Sequence, residues 1–227
     1  MKNTMLLCTM LAALTTSMGA HAADTAELKV KGSVQPSACT LTLSADGVVD
    51  MGRIPTSRLD LIRSTYLGSK LVPLNISCPT GAAKLALKFQ DNRTSSVVAG
   101  LIRTIDNGLP DSQAFGLGTF DGKKIGIYTL EIVEGFQVTK ADGTTAKLYS
   151  STSSNGTGWY AGQGSDYHMV TRGLESWGSS QVSPEPVAVR SLSSKLLVRV
   201  IIDELRNLST KNDIPLDGSA TLEMVYL

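Results

Sequence analysis

Ala220–Tyr226 reads ATLEMVY, with Ala220, Leu222, Met224 and Tyr226 alternating against Thr221, Glu223 and Val225. Successive side chains on an extended chain point to opposite faces, so this stretch predicts a strand with one face in a core. The run before it, Lys195–Ile202 (KLLVRVII), is apolar almost throughout and predicts a strand covered on both faces. Further upstream, Ile125–Val133 (IGIYTLEIV) is rich in β-branched and aromatic residues. Its apolar parity shifts after Ile127, so a bulge is expected near Gly126. Leu85, Leu87 and Phe89 alternate with Lys84, Ala86 and Lys88, and Thr40–Leu43 alternates again. Leu71–Ser77 carries Pro73, which predicts a sheet edge or a strand start at that point. Ala26, Leu28 and Val30 against Glu27, Lys29 and Lys31 predict a half-buried strand.

Turn chemistry separates these runs: Asp46-Gly47, Asn107-Gly108, Asp121-Gly122, Asp142-Gly143, Asn155-Gly156 and Asp217-Gly218. No stretch shows a 3.6-residue apolar face, and only Asp203–Leu208 suggests a short helix. The expected fold is therefore all-β, an antiparallel sandwich or barrel. Aromatic residues make up 5% of the chain, so its core must be mainly aliphatic. Ser150–Ser183, rich in Ser, Thr and Gly, reads as long loops on one domain, because it lacks the aliphatic residues for a core of its own.

The first 22 of the 227 residues have a different character. Lys2, the apolar run Met5–Leu14 and the Ala20-His21-Ala22 ending read as a secretory signal peptide. Without them the working chain is 23–227, with Lys+Arg equal to Asp+Glu, two cysteines and one histidine. No remaining apolar stretch is long enough for a membrane span. A balanced charge gives no electrostatic footprint for nucleic acid. Two cysteines and one histidine fall short of a four-ligand zinc site, and the acidic residues lack calcium-loop spacing, so no metal and no cofactor is expected. In an exported chain Cys39 and Cys78 are disulfide candidates, the alternative being two buried thiols.

Few groups suggest catalysis, and no enzyme is expected. Asp166-Tyr167-His168 could supply a base beside a serine, yet Gly162-Gln163-Gly164-Ser165 is not a nucleophile elbow. His168 reads better as a loop residue. Adjacent Asp203 and Glu204 on a strand face opposite ways and do not converge as glycosidase acids. Trp159, Tyr160, Tyr167 and Trp177 are candidate ligand-loop residues, since clustered rings stack on sugars or line protein interfaces. The alternative is that the rings plug into the sandwich and anchor the loops.

Lys31-Gly32-Ser33-Val34-Gln35-Pro36-Ser37-Ala38-Cys39 resembles the opening of chaperone–usher pilin (fimbrial) subunits. Val48-Val49-Asp50-Met51-Gly52 resembles their second short strand, and Leu74-Asn75-Ile76-Ser77-Cys78 the strand carrying the partner cysteine. Gly218–Leu227, with its penultimate tyrosine, is similar to the pilin C-terminal strand. Asp91-Asn92-Arg93, Ala114–Gly118 with Gly122–Gly126, and Leu216-Asp217-Gly218 resemble a narrower group, the enterobacterial β-fimbrial-type periplasmic proteins.

The resemblance implies an immunoglobulin-like sandwich lacking its last strand. It implies a periplasmic pilus chaperone as first partner, with an outer-membrane usher and other fimbrial subunits after it, and a periplasmic or cell-surface location. Association would proceed by strand addition, in which ladder hydrogen bonds supply affinity and side-chain pockets supply specificity. Ala26, Leu28 and Val30 would be the donor strand; Ala220, Leu222, Met224 and Tyr226 would line the acceptor groove, and the Leu227 carboxylate would be held by the chaperone. The stretch before Gly32 is short and lacks glycine, and Ile214 stands where pilins place Gly. The alternatives are therefore a glycan- or surface-binding minor adhesin using the Trp159–Trp177 loops, or a periplasmic protein that does not polymerise.

Overall fold

The computed structural model describes residues 26–33, 38–133, 137–161, 167–170, 172–180, 182 and 184–227. The chain divides into two units, Met1–Gln35 and Pro36–Leu227. The expected signal peptide, Val34–Ser37 of the opening motif and Gly162–Asp166 lie outside the described residues. In the first unit, residues 26–33 form no strand, and Leu28 and Val30 are 89% and 91% exposed. The half-buried strand expected at Ala26–Lys31 is thus corrected. Alternation prepares a segment for a sheet, but a strand gains its hydrogen bonds only from a neighbouring strand.

The described residues of the second unit form fifteen strands. First come β1 (Thr40–Leu43), β2 (Thr65–Ser77) and β3 (Leu85–Asp91). The short β4 (Phe115–Gly116), β5 (Thr119–Phe120) and β6 (Lys123–Lys124) lead to β7 (Gly126–Val133). Then follow β8 (Gln137–Lys140), β9 (Thr145–Lys147), β10 (Tyr149–Ser153), β11 (Tyr160–Ala161) and β12 (Tyr167–Met169). The last are β13 (Leu174–Gly178), β14 (Val189–Ile202) and β15 (Ala220–Tyr226).

They build two antiparallel sheets, ordered β1-β2-β14-β7-β12 and β11-β10-β13-β3-β15. A separate β5–β6 hairpin turns through Asp121 and Gly122, both at positive φ, as an Asp-Gly hairpin turn requires. With β1, β2, β3, β7, β14 and β15 lettered A to F, the sheets read A-B-E-D and C-F, the division of an immunoglobulin-type sandwich. The strands from β8 to β13 are inserted between D and E. Among the described residues no strand pairs with the outer edge of β15, where a seventh strand would lie.

The core is aliphatic and lies between the sheets: Leu74 and Ile76 of β2, Leu85 and Leu87 of β3, Leu192 and Val200 of β14. The predicted double cover of Lys195–Ile202 holds, because Ile201 faces the other way into a second cluster with Leu101, Ile102 and Ile127. Pro73 marks an edge as expected: β1 pairs only Leu74–Ser77 of β2, so the proline sits where that ladder stops. Gly126 is not a bulge, since β7 stays in register with β14 from Ile132 to Gly126. A Cβ there would stand 2.2 Å from the Ile201 carbonyl oxygen, so the close approach of two backbones fixes the glycine. The register shift falls instead between Val200 and Ile201, against β2. Asp203–Leu208 holds only a three-residue 3-10 turn, Leu205–Asn207.

Ser150–Ser183 is not all loop. β10 and β13 extend the second sheet beyond β3, and β12 pairs with β7. Serine serves in these strands because its hydroxyl finds backbone acceptors: Ser176 Oγ donates to the Leu85 carbonyl at 2.7 Å, and Ser151 Oγ to that of Pro184. A buried hydroxyl so bonded costs little.

Candidate functional site

Two hydrogen bonds fix the direction of the β15 backbone groups. The Asn92 N–H donates to the Ser219 carbonyl at 3.0 Å, and the Leu227 N–H to the Lys84 carbonyl at 3.0 Å. These bonds flank the β3–β15 ladder, whose pairs run from Ala220–Asp91 to Tyr226–Leu85. Hydrogen-bonding direction alternates along an antiparallel pair, so odd-numbered residues turn their N–H and C=O toward β3 and even-numbered ones away from it. Ala220, Leu222 and Met224 therefore present backbone donors and acceptors along the open edge. The same three side chains point inward, but they are only half-buried. One line of residues thus offers both an unpaired ladder and an incompletely covered apolar face.

A groove runs along this line. One part, about 390 Å³, has Val72, Leu130 and Val198 of the first sheet among its lining, with Leu43 on one side and Ala220 and Leu222 on the other. The next part, about 840 Å³, is lined by Ile54, Leu59, Ile125, Ile202 and Ile214. The two parts share Val49, Met51 and Leu216, so they are continuous. The wall facing β15 is Leu43–Leu59. Val48–Gly52 within it is not a strand, contrary to the pilin resemblance. Its residues have no ladder partner among the described residues, and the groove lies where one would run.

The far wall is held in place by three motifs distant in sequence. Asp91 accepts the backbone N–H of Arg93 at 2.8 Å and that of Gly116 at 3.0 Å. Arg93 Nε donates to Asp217 Oδ2 at 2.9 Å and to the Asp217 carbonyl at 3.2 Å. This hydrogen bond, and then the carboxylate's charge, raise the guanidinium pKa. Asn92 Nδ2 donates to the hydroxyls of Ser219 and Thr221. A Cβ at Gly116 would lie 2.2 Å from Ser96 Oγ, and one at Gly218 would lie 2.9 Å from the Tyr128 ring. Burial pushes the Tyr128 phenol upward, with Asp91 adding to the effect, so the ring under Gly218 stays neutral. Asp91–Arg93, Ala114–Gly118 and Leu216–Gly218, separate in the sequence, thus form one corner that delivers the chain into β15.

At the other end of β15, Tyr226 Oη accepts the Cys39 N–H at 2.8 Å. Cys39 and Cys78 form the disulfide, which joins the start of β1 to the end of β2. The penultimate tyrosine therefore ties the last strand to the bridge, a contact across 187 residues that no local signal could reveal.

The aromatic residues fall differently from a ligand-binding face. Trp177 lies on β13 with 2% of its surface exposed, and Trp159 is 9% exposed, so both anchor the interior and the sugar-stacking role is corrected for them. Tyr160 is 71% exposed. Tyr167 and His168 lie on β12, opposite Val133 and Ile132. Among the described residues no three His, Cys, Asp or Glu side chains group as a metal site, and no helix is long and apolar enough to cross a membrane.

Residues 28–129 match a family described as "Protein of unknown function (DUF1120)". That match spans the Leu43–Leu59 wall and stops inside β7, before β15. Two Escherichia coli (strain K12) proteins are similar over nearly their whole lengths. The chain is 27% identical to "Uncharacterized protein YhcF", over 93% of this chain and 94% of the relative. It is 28% identical to "Protein GltF", over 93% of this chain and 91% of that protein.

Proposed function

We propose that this chain is a fimbrial or pilin-like structural subunit of the periplasm, which associates by β-strand donation, first with a chaperone and then with a neighbouring subunit. The observation that carries this reading is the edge of β15, open among the described residues, where the outward backbone groups of Ala220 and Leu222 border a continuous apolar groove. Exposed edges and apolar grooves invite aggregation unless something covers them. A strand laid along β15 pairs the backbone groups and buries the groove in one step, each large side chain gaining about 1.5–3 kcal/mol. The disulfide supports export to an oxidising compartment. The secretory signal and the pilin motifs at both ends of the chain support the same route, with an outer-membrane usher and surface fimbriae as its later stages.

Purified alone, the protein is expected to aggregate or to form strand-swapped oligomers. Co-expression with a periplasmic pilus chaperone should yield a stable 1:1 complex, read by size-exclusion chromatography with light scattering. A reversible, highly stable monomer that responds to neither chaperone nor donor peptide would refute the reading.

A further inference from the structure

We propose that the loop Asp60–Ser64, at the pole of the sandwich where β2 begins and β14 ends, docks the protein on an anionic phospholipid surface. This stands apart from strand donation and uses neither β15 nor the groove. Leu61 and Ile62 are adjacent, with 60% and 58% of their surfaces exposed. One exposed aliphatic side chain is ordinary, but this pair is presented by a loop fastened from several sides. Asp60 Oδ1 accepts the N–H of Ile62 at 2.9 Å and that of Arg63 at 3.0 Å. The Asp60 N–H donates to Thr65 Oγ1 at 3.0 Å, which closes the loop on itself. From the turn Leu205–Asn207, the Leu205 N–H donates to the Asp60 carbonyl at 2.9 Å and the Arg206 N–H to that of Leu61 at 3.2 Å. The hydroxyls of Ser64 and Thr104 are hydrogen-bonded at 2.8 Å, which ties a third segment to the loop. The loop's polar groups thus serve its own support, and the two aliphatic side chains are left to solvent. A tip ordered in advance gives up little conformational freedom on docking.

The charges beside the pair set the chemistry of its partner. Arg58, Arg63 and Arg103 are exposed, and none of them forms an ion pair among the described residues. Arg58 and Arg63 flank the pair in sequence, and Arg103 precedes Thr104, the residue bonded to Ser64. The carboxylates nearby are engaged: Asp60 with two backbone N–H groups, Glu204 with Arg206, and Asp106 with the Gly108 N–H. Asp203 is buried and holds Asn207 Nδ2 and the Glu204 N–H. Unengaged guanidinium groups around a small apolar tip match a phosphate layer lying over hydrocarbon. The arginines bond phosphate oxygens while Leu61 and Ile62 enter the acyl boundary. Tyr66, next along the chain and 45% exposed, suits the interfacial layer where tyrosines collect. A protein partner would call for a broader apolar patch with few charges at its centre. β2 runs from this tip to Cys78, so docking by this pole keeps the disulfide, and the Tyr226 contact beside it, away from the lipid.

Vesicle flotation of the processed chain, residues 23–227, tests this with the apolar run Met5–Leu14 absent. Vesicles of phosphatidylglycerol and phosphatidylcholine in equal parts are compared with phosphatidylcholine alone. Each arginine near an anionic surface strengthens binding about fivefold, so the mixed vesicles should bind the protein roughly 100-fold more tightly. Leu61→Ser with Ile62→Ser, at exposed positions that leave the fold intact, should weaken that binding about tenfold. Arg63→Gln with Arg103→Gln should weaken it roughly 25-fold and leave the neutral vesicles unaffected. No binding to the mixed vesicles overturns the proposal. Binding that the Leu61/Ile62 variant retains in full also overturns it and moves the lipid contact to the groove. Equal binding to both vesicle types refutes the anionic partner.

Discussion

Replacing Cys39 and Cys78 together by serine is expected to lower the unfolding free energy by about 4 kcal/mol, as closing a loop of this length does in the chain-entropy account. The bridge spans a sequence separation of 39 residues, and little else holds the first strand. β1 pairs with β2 over only four residues, Thr40–Leu43 against Ser77–Leu74. Leu41 and Leu43 are half-buried, so their packing contributes less than a full core position. A loss of about 4 kcal/mol is a large share of the roughly 5–15 kcal/mol that holds a domain folded. The loss should also be polarised. Without the bridge, β1 and the Leu43–Leu59 wall detach first, and the Cys39 N–H to Tyr226 contact goes with them. Denaturant melts of the oxidised, reduced and double-serine proteins measure the cost. An unchanged midpoint in reductant would mean that the ladder alone secures β1.

Trp177→Ala is expected to cost about 3–5 kcal/mol, the range for truncating a large buried aromatic. Trp177 is among the largest fully buried side chains and belongs to the main core cluster. It sits on β13, where Ser150 of β10 is its ladder partner. Its ring therefore secures the inserted strands to the sandwich. Tyr160, only one residue from Trp159 but facing solvent, provides the contrast: Tyr160→Ala should change stability by no more than about 0.5 kcal/mol. Thermal melts of the two variants separate an anchoring ring from a surface ring. Equal, small effects would return Trp177 to the surface and reopen the glycan-binding alternative.

The strands that could be read from sequence are those whose side chains meet a core on one face. Ala220–Tyr226, Leu85–Phe89 and Thr40–Leu43 alternate because one face is apolar, and Lys195–Ile202 does not because both faces are covered. β10 reads YSSTS and was invisible to any search for apolar periodicity. Its fully buried Ser151 donates to the Pro184 carbonyl, an acceptor 33 residues further along the chain. Ala26–Lys31 shows the opposite failure, a strand pattern without a strand, because pattern alone does not provide a neighbour. At the groove, the alternating wall residues Ala220 and Leu222 were legible. The role of Ile214 and Leu216 as its continuation was not, since Pro215 and Asp217 interrupt any strand signal. The Arg93–Asp217 corner lies across 124 residues, and only the co-occurrence of its motifs in one family resemblance hinted at it.

Amide hydrogen exchange along β15 tests the central claim most directly, in the isolated protein kept dilute and in its complex with a bound strand. In the free protein, Thr221, Glu223 and Val225, which face β3, should exchange slowly. Ala220, Leu222, Met224 and Tyr226, on the open edge, should exchange fast and become protected once chaperone or donor peptide is bound. Uniform protection of all seven amides in the free protein, with no change on adding a strand, would mean that the sandwich is already closed.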